Sequence, residues 1–150
     1  MSAANVLLKP EECAMLLFDF QAGLGFGVES IPRQLVVNNA VGLARTAVAF
    51  KVPVIASTSA SRVYSGPLLA ALQEALPAVK PIERRSMNVW EDDTARNAVV
   101  ATNRRRLIIA GFLTEACVSF PALSALKDGF EVRNIHLLRL LHNFRWGRKS

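Results

Sequence analysis

Acidic residues run out early in this 150-residue chain: none follows Glu131. Arg133, Arg139, Arg145, Arg148 and Lys149 lie beyond that point. The net charge of +6 is therefore a property of the tail, since residues 1–131 carry only +1. No face interleaving basic and aromatic residues is evident in the body, so nucleic acid is not an expected partner. Cysteine is scarce too. Cys13 and Cys117 are far apart, which argues against a disulfide framework. Both histidines, His136 and His142, fall in the tail. No unbroken apolar stretch reaches the ~18 residues of a membrane span. The first residues lack a basic segment followed by an apolar one, so no secretory signal is expected and the cytoplasm is the expected compartment. There is no internal repeat and no low-complexity linker. The length fits one domain able to bury a core.

What the chain has is apolar sequence, 51% of its residues, with a mean hydropathy of +0.26. That suits an α/β fold whose central strands are buried on both faces. Met15–Phe18 reads as a buried strand ending at Asp19. Pro32 to Phe50 has helical spacing, with Val37, Val41, Ala44 and Val48 on one stripe. Pro53–Ala56 is the next strand. Pro67 opens a helix that Pro77 closes. Val79–Ile82 is a short third strand. Asp92 and Asp93 cap a helix reaching about Thr102. Leu107–Ala110 is a fourth strand, Cys117–Lys127 a helix, and Phe130 begins a fifth strand. Alternating strands and helices imply a mainly parallel sheet covered on both sides, a three-layer α/β/α arrangement. Right-handed crossovers then bring the strand ends to one edge, where open α/β sheets bind ligands.

Three features meet at that edge. Asp19 ends the first strand, Arg84 and Arg85 follow the third, and Cys117 follows the fourth at the start of a helix. Helix dipoles there favour the thiolate. A nucleophilic cysteine needs a base and benefits from a cation. Asp19, between Phe18 and Phe20, would have a raised pKa suited to a base. Taken singly, each residue also has a bland reading. Cys117 could be a small buried hydrophobe, Asp19 a turn residue, and either arginine a solvated one. Cys13 reads as core.

The stretch Phe18-Asp19-Phe20-Gln21-Ala22-Gly23-Leu24 resembles the opening motif of the isochorismatase-like cysteine hydrolases. Ile109 to Val118, followed by Ala125 and Gly129, is similar to that family's nucleophile segment. Arg85 to Asp92 resembles its metal-independent, oligomeric branch. The resemblance implies a cysteine hydrolase that cleaves a small amide, ureido or related acyl substrate through a thioester, with no metal and no other cofactor. Its triad of Asp, Lys and Cys maps to Asp19, Arg84 and Cys117. Arg84 stands at the lysine's place, with Arg85 the near alternative and Lys80 a third candidate. Arginine supplies charge but does not give up a proton. The resemblance also implies a cis peptide at Phe112–Leu113, turning the Leu113 N–H toward that of Cys117 as an oxyanion hole. Leu113, Gln21, Asn88, Trp90 and Arg85 are the expected substrate-binding residues. Where the nicotinamidase branch places metal ligands, this chain has Ser57 to Ser61.

The resemblance ends at about Val132. Residues 1–132 are thus expected to form the hydrolase domain and residues 133–150 an atypical basic tail, altered or replaced relative to the family. The expected partners are a small-molecule substrate and further copies of the chain. A basic amphipathic tail with Leu137, Leu141 and Phe144 on one face, touching a membrane or partner, is the alternative for that segment. A scaffold of the same fold with impaired catalysis is the alternative function. Under the hydrolase reading, Cys117 labels rapidly at neutral pH, and Asp19→Asn suppresses the labelling.

Overall fold

Leu16, Leu17 and Phe18 are fully buried, each stabilising the fold by about 2 kcal/mol. They belong to β1 (Cys13–Phe18), the centre of the architecture. The computed structural model describes residues 7–27 and 32–134. Every side chain of β1 is buried, because the strand packs on both faces. Cys13, Met15 and Leu17 enter one core, and Ala14, Leu16 and Phe18 enter the other. This alternation is the period-two geometry of a strand.

Around β1 lie β2 (Val54–Ser59), β3 (Ile82–Arg84), β4 (Arg106–Gly111) and β5 (Glu131–Asn134). The five described strands run parallel in the order β3-β2-β1-β4-β5. Helices α2 (Arg33–Ala49) and α3 (Ala70–Ala75) cover one face. Helices α4 (Asp93–Ala101) and α5 (Ser119–Lys127) cover the other. A short α1 (Ala22–Gly25) follows β1. The chain moves outward from β1 to β3, then returns to β4 on the far side of β1. That reversal puts the ligand crevice at the carboxyl ends of β1 and β4.

Three expectations shift in detail. The buried stripe of α2 is Val36, Ala40, Ala44 and Ala47, whereas Val48 is exposed. Both stripes are apolar, but the one rich in alanine lets the helix approach the sheet closely. Helix α3 begins at Ala70, not Pro67. Leu68 instead bridges to Gln21, and the Leu69 N–H bonds to the Phe20 carbonyl at 2.9 Å. Strand β3 starts at Ile82, because Val79 is held in a turn by Leu76 and Gln73, and Pro81 has no N–H to donate. Arg84 therefore ends β3 instead of following it. The Asp92 cap stands as expected, accepting the Ala95 N–H at 3.0 Å.

At the opposite edge Arg106 pairs with Glu12 and, at 2.9 Å, with Glu131. It thus ties the start of β4 to the start of β5 and to the residue that precedes β1. No described helix is long and apolar enough to cross a membrane. The amphipathic tail expected to carry Leu137, Leu141 and Phe144 on one face, and both histidines, fall outside the described residues.

Candidate active site

Asp19 leaves β1 in a left-handed conformation, with φ of 59°. Aspartate is among the few non-glycine residues that adopt this readily. Its N–H bonds to the Ser57 carbonyl at 3.0 Å, and its carbonyl accepts the Gln21 N–H at 2.8 Å. These bonds turn the side chain into the crevice, where it is 1% exposed. Oδ2 accepts from Arg84 Nη2 in an ion pair that is 2% exposed on each side. Arg84 Nη1 donates to the Ser86 carbonyl at 3.0 Å. Oδ1 of Asp19 and Nε of Arg84 are buried without a partner of hydrogen-bond geometry.

Cys117 is 3% exposed and faces the same carboxylate. Gly111 makes this possible. A Cβ there would stand 2.9 Å from the Phe18 carbonyl and 3.3 Å from the Cys117 Cβ. Its absence lets the segment carrying Cys117 close over the end of β1. Burial pushes the Cys117 thiol up to about 12, helped by the Asp19 charge, while Arg84 opposes. Burial likewise raises the Asp19 pKa, although Cys117, Arg84 and Ser59 all draw it down. The resting thiol therefore holds its proton. Desolvation works against the thiolate that a helix terminus would favour.

The helical entry also differs. Thr114–Val118 forms one π-helical turn before α5 begins at Ser119. The Cys117 N–H bonds to the Leu113 carbonyl at 2.8 Å. No described peptide bond is cis, so Phe112–Leu113 is trans. The expected oxyanion hole is thus not formed: one of its two amides is already bonded within the turn.

A cavity of about 700 Å³ opens above these groups, and Asp19, Ser59, Arg84, Arg85, Leu113 and Cys117 all line it. Gln21, Asn88 and Trp90 do not. Gln21 is fully buried and clamps the backbone. Its Oε1 accepts the Ser59 N–H at 2.9 Å, and its Nε2 donates to the Ser59 carbonyl at 3.1 Å and to the Gly66 carbonyl. Asn88 caps the turn at Val89–Glu91 and bonds to Ser124 at 3.1 Å. Trp90 donates to Asp128 at 2.9 Å and packs edge-on against Phe130. All three were expected to touch substrate, and their polar groups are instead committed to the fold. Lys80 is exposed and away from the cavity.

The sequence reading missed the segment from Ser59 to Tyr64, which forms one wall of the cavity. Its signal was positional: it follows β2 at the same sheet edge. Among the described residues no group of three or more His, Cys, Asp or Glu side chains is arranged to hold a metal.

Comparison with known proteins supplies the family. The Isochorismatase domain model matches residues 13–136. The probable hydrolase YcaC of Escherichia coli (strain K12) is 40% identical over 133 residues, covering 88% of this chain and 64% of its own. This chain thus spans less than two thirds of that relative. The crystal structure of the Escherichia coli YcaC gene product, described as an octameric hydrolase of unknown specificity, matches with a TM-score of 0.84 at 40% identity. That match covers 89% of this chain and 66% of the other. YcaC from Pseudomonas aeruginosa, solved with hexane-2,5-diol and covalent acrylamide, matches with a TM-score of 0.86 at 37% identity, covering 91% and 68%. With the family model matching most of the chain and a relative 40% identical over 133 residues, the chain belongs to the isochorismatase family.

Proposed function

We propose that the chain is a cysteine hydrolase that cleaves a small amide, ureido or related acyl compound through a thioester on Cys117. One observation carries this reading. The buried Asp19–Arg84 pair leaves one carboxylate oxygen unpartnered beside a protonated thiol on the floor of a cavity. A thiol at about 12 cannot supply a free thiolate at neutral pH, so it needs a base at the moment of attack. Asp19 accepts the thiol proton as sulfur bonds to the carbonyl carbon. It returns that proton to the leaving nitrogen as the C–N bond breaks. Water then attacks the thioester, again yielding a proton to Asp19, which restores the thiol. Arg84 takes no proton in this cycle. It holds the carboxylate in place and offsets its charge once the thiolate forms.

The Pseudomonas aeruginosa relative was solved with covalent acrylamide, and acrylamide is a suitable probe here. Sulfur adds to its terminal carbon, and the thiol proton ends on the carbon beside the amide. Peptide mapping after exposure of the folded protein is expected to place one adduct on Cys117 and none on buried Cys13. Modification of Cys13 alone, or of neither until the protein unfolds, would refute the assignment. We also propose self-association, since the Escherichia coli relative is described as octameric. Light scattering in solution reads the assembly directly.

A further inference from the structure

The charges lining the cavity do not cancel. Asp19 and Arg84 offset each other in their buried pair. Glu83 has committed its carboxylate to the fold: Oε2 accepts from Thr58 Oγ1 at 2.7 Å and Oε1 from the Ser61 N–H at 2.9 Å. Arg62 and Arg85 remain, and both are exposed on the wall of the cavity that holds Cys117. Arg62 lies near enough to influence Glu83, yet neither arginine forms a salt bridge among the described residues. Three arginines thus face two carboxylates around one cavity. Val63, Tyr64 and Met87 add apolar surface to the same wall, 82%, 70% and 67% exposed. The volume of about 700 Å³ exceeds what a bare amide group fills.

We propose that the substrate bears a carboxylate in addition to its scissile amide or ureido group. Arg85 and Arg62 hold the carboxylate while the carbonyl reaches Cys117, and apolar atoms between the two ends lie along Val63, Tyr64 and Met87. The guanidinium fork suits this role, because it binds a carboxylate through two parallel hydrogen bonds and stays charged at any working pH. The cationic wall also raises the local concentration of anions at the mouth. This inference rests on the cysteine-hydrolase reading and narrows its substrate class.

The test compares two matched reagents on the whole protein, iodoacetate and iodoacetamide, with modification of Cys117 followed by peptide mapping. In both, sulfur bonds to the methylene carbon, the C–I bond breaks, iodide leaves with its electron pair, and the thiol proton is released to water. Only the charge of the reagent differs. N-acetylcysteine gives the reference ratio of the two rates. At Cys117 the iodoacetate-to-iodoacetamide ratio is expected to exceed that reference about tenfold and to decline as salt is added. The double variant Arg62→Gln, Arg85→Gln should bring the ratio back to the reference. Arg105→Gln, an exposed change outside the cavity, should keep it high. A native ratio at or below the reference, with iodoacetamide still reaching Cys117, overturns the anionic substrate and leaves the hydrolase reading standing. A high ratio that survives the double variant overturns the assignment to these two arginines. Failure of both reagents to reach Cys117 overturns both readings together.

Discussion

Replacing Asp19 by Asn removes one charge and little volume, and its effect on Cys117 follows from the causes that raise the thiol. Burial is the largest, the Asp19 charge comes second, and the close approach of the Asp19 carboxylate third. The variant removes the charge, keeps an amide oxygen able to accept from the thiol, and leaves the Arg84 cation unbalanced. A unit charge at contact distance is worth about 4 kcal/mol at an effective dielectric of about 20, and each pH unit about 1.4 kcal/mol. That sets a ceiling of about three pH units; because the site opens to a solvent-accessible cavity that screens part of the interaction, we expect the thiol to fall by about two, with burial holding it above the ordinary cysteine value. At pH 8 the thiolate fraction rises about a hundredfold. Intrinsic nucleophilicity drops with basicity, by about tenfold for two units. Alkylation of Cys117 by iodoacetamide should thus quicken about tenfold, while turnover of any acyl substrate collapses because Asn accepts no proton. The assay is peptide-mapped alkylation across pH. It is run below the denaturation midpoint, since breaking a buried pair costs about 3–5 kcal/mol. Slower alkylation in the variant would refute the reasoning. It would mean that Asp19 favours the thiolate at rest, the outcome that the sequence alone predicts.

Two further changes test the frame around the site. The folded thiol at about 12 lies above its ordinary 9.0, so the native state keeps a proton that the unfolded chain releases. Its contribution to stability is complete below pH 9 and is lost as pH rises toward 12. Cys117→Ala should flatten that decline, as read by urea denaturation at pH 8 and pH 10; parallel curves would refute it. Gln21→Ala strips partners from the Ser59 backbone and the Gly66 carbonyl. Each buried group so abandoned costs about 1–3 kcal/mol, so a loss of several kcal/mol in denaturation is expected, and a change under about 1 kcal/mol would show that the clamp carries no weight.

How much was legible depended on whether the deciding physics is local. Met15–Phe18 and Leu107–Ala110 announce buried strands because an unbroken apolar run has few other uses. Asp92 announces a cap because its bond to the Ala95 N–H spans three residues. The α2 face was misread by one residue, since two neighbouring stripes are equally apolar and only the facing sheet chooses between them. Gln21, Asn88 and Trp90 looked like pocket residues because polar and aromatic groups near a motif suggest ligands. Their true partners, Ser59, Ser124 and Asp128, lie 36 to 38 residues away. The sign of the Cys117 shift was illegible for the same reason: a chain position reveals a helix terminus but not the depth at which the terminus is buried.

The strand order explains why the acid, cation and thiol can meet at all. Asp19 and Cys117 need only one neighbour relation, because β1 and β4 are adjacent and Phe18 stands opposite Gly111. Arg84 has further to go. It ends β3, which is separated from β1 by β2, and two strand spacings amount to about 10 Å. Only a long side chain covers that distance, which is why lysine or arginine suits the place and a shorter cation does not. The path crosses β2 near Ser57 and Ser59, since Ser57 is in register with Phe18 and Ser59 with Arg84. By strand alternation those two residues share the face of Ile55, the face that packs with Cys117. Serines there leave the lane open where a branched apolar side chain would block it. The buried Ser57 hydroxyl has no partner, so its position is better explained by small size than by any bond it makes. The small residues of β2 are therefore as necessary to the site as the three groups that would do the chemistry.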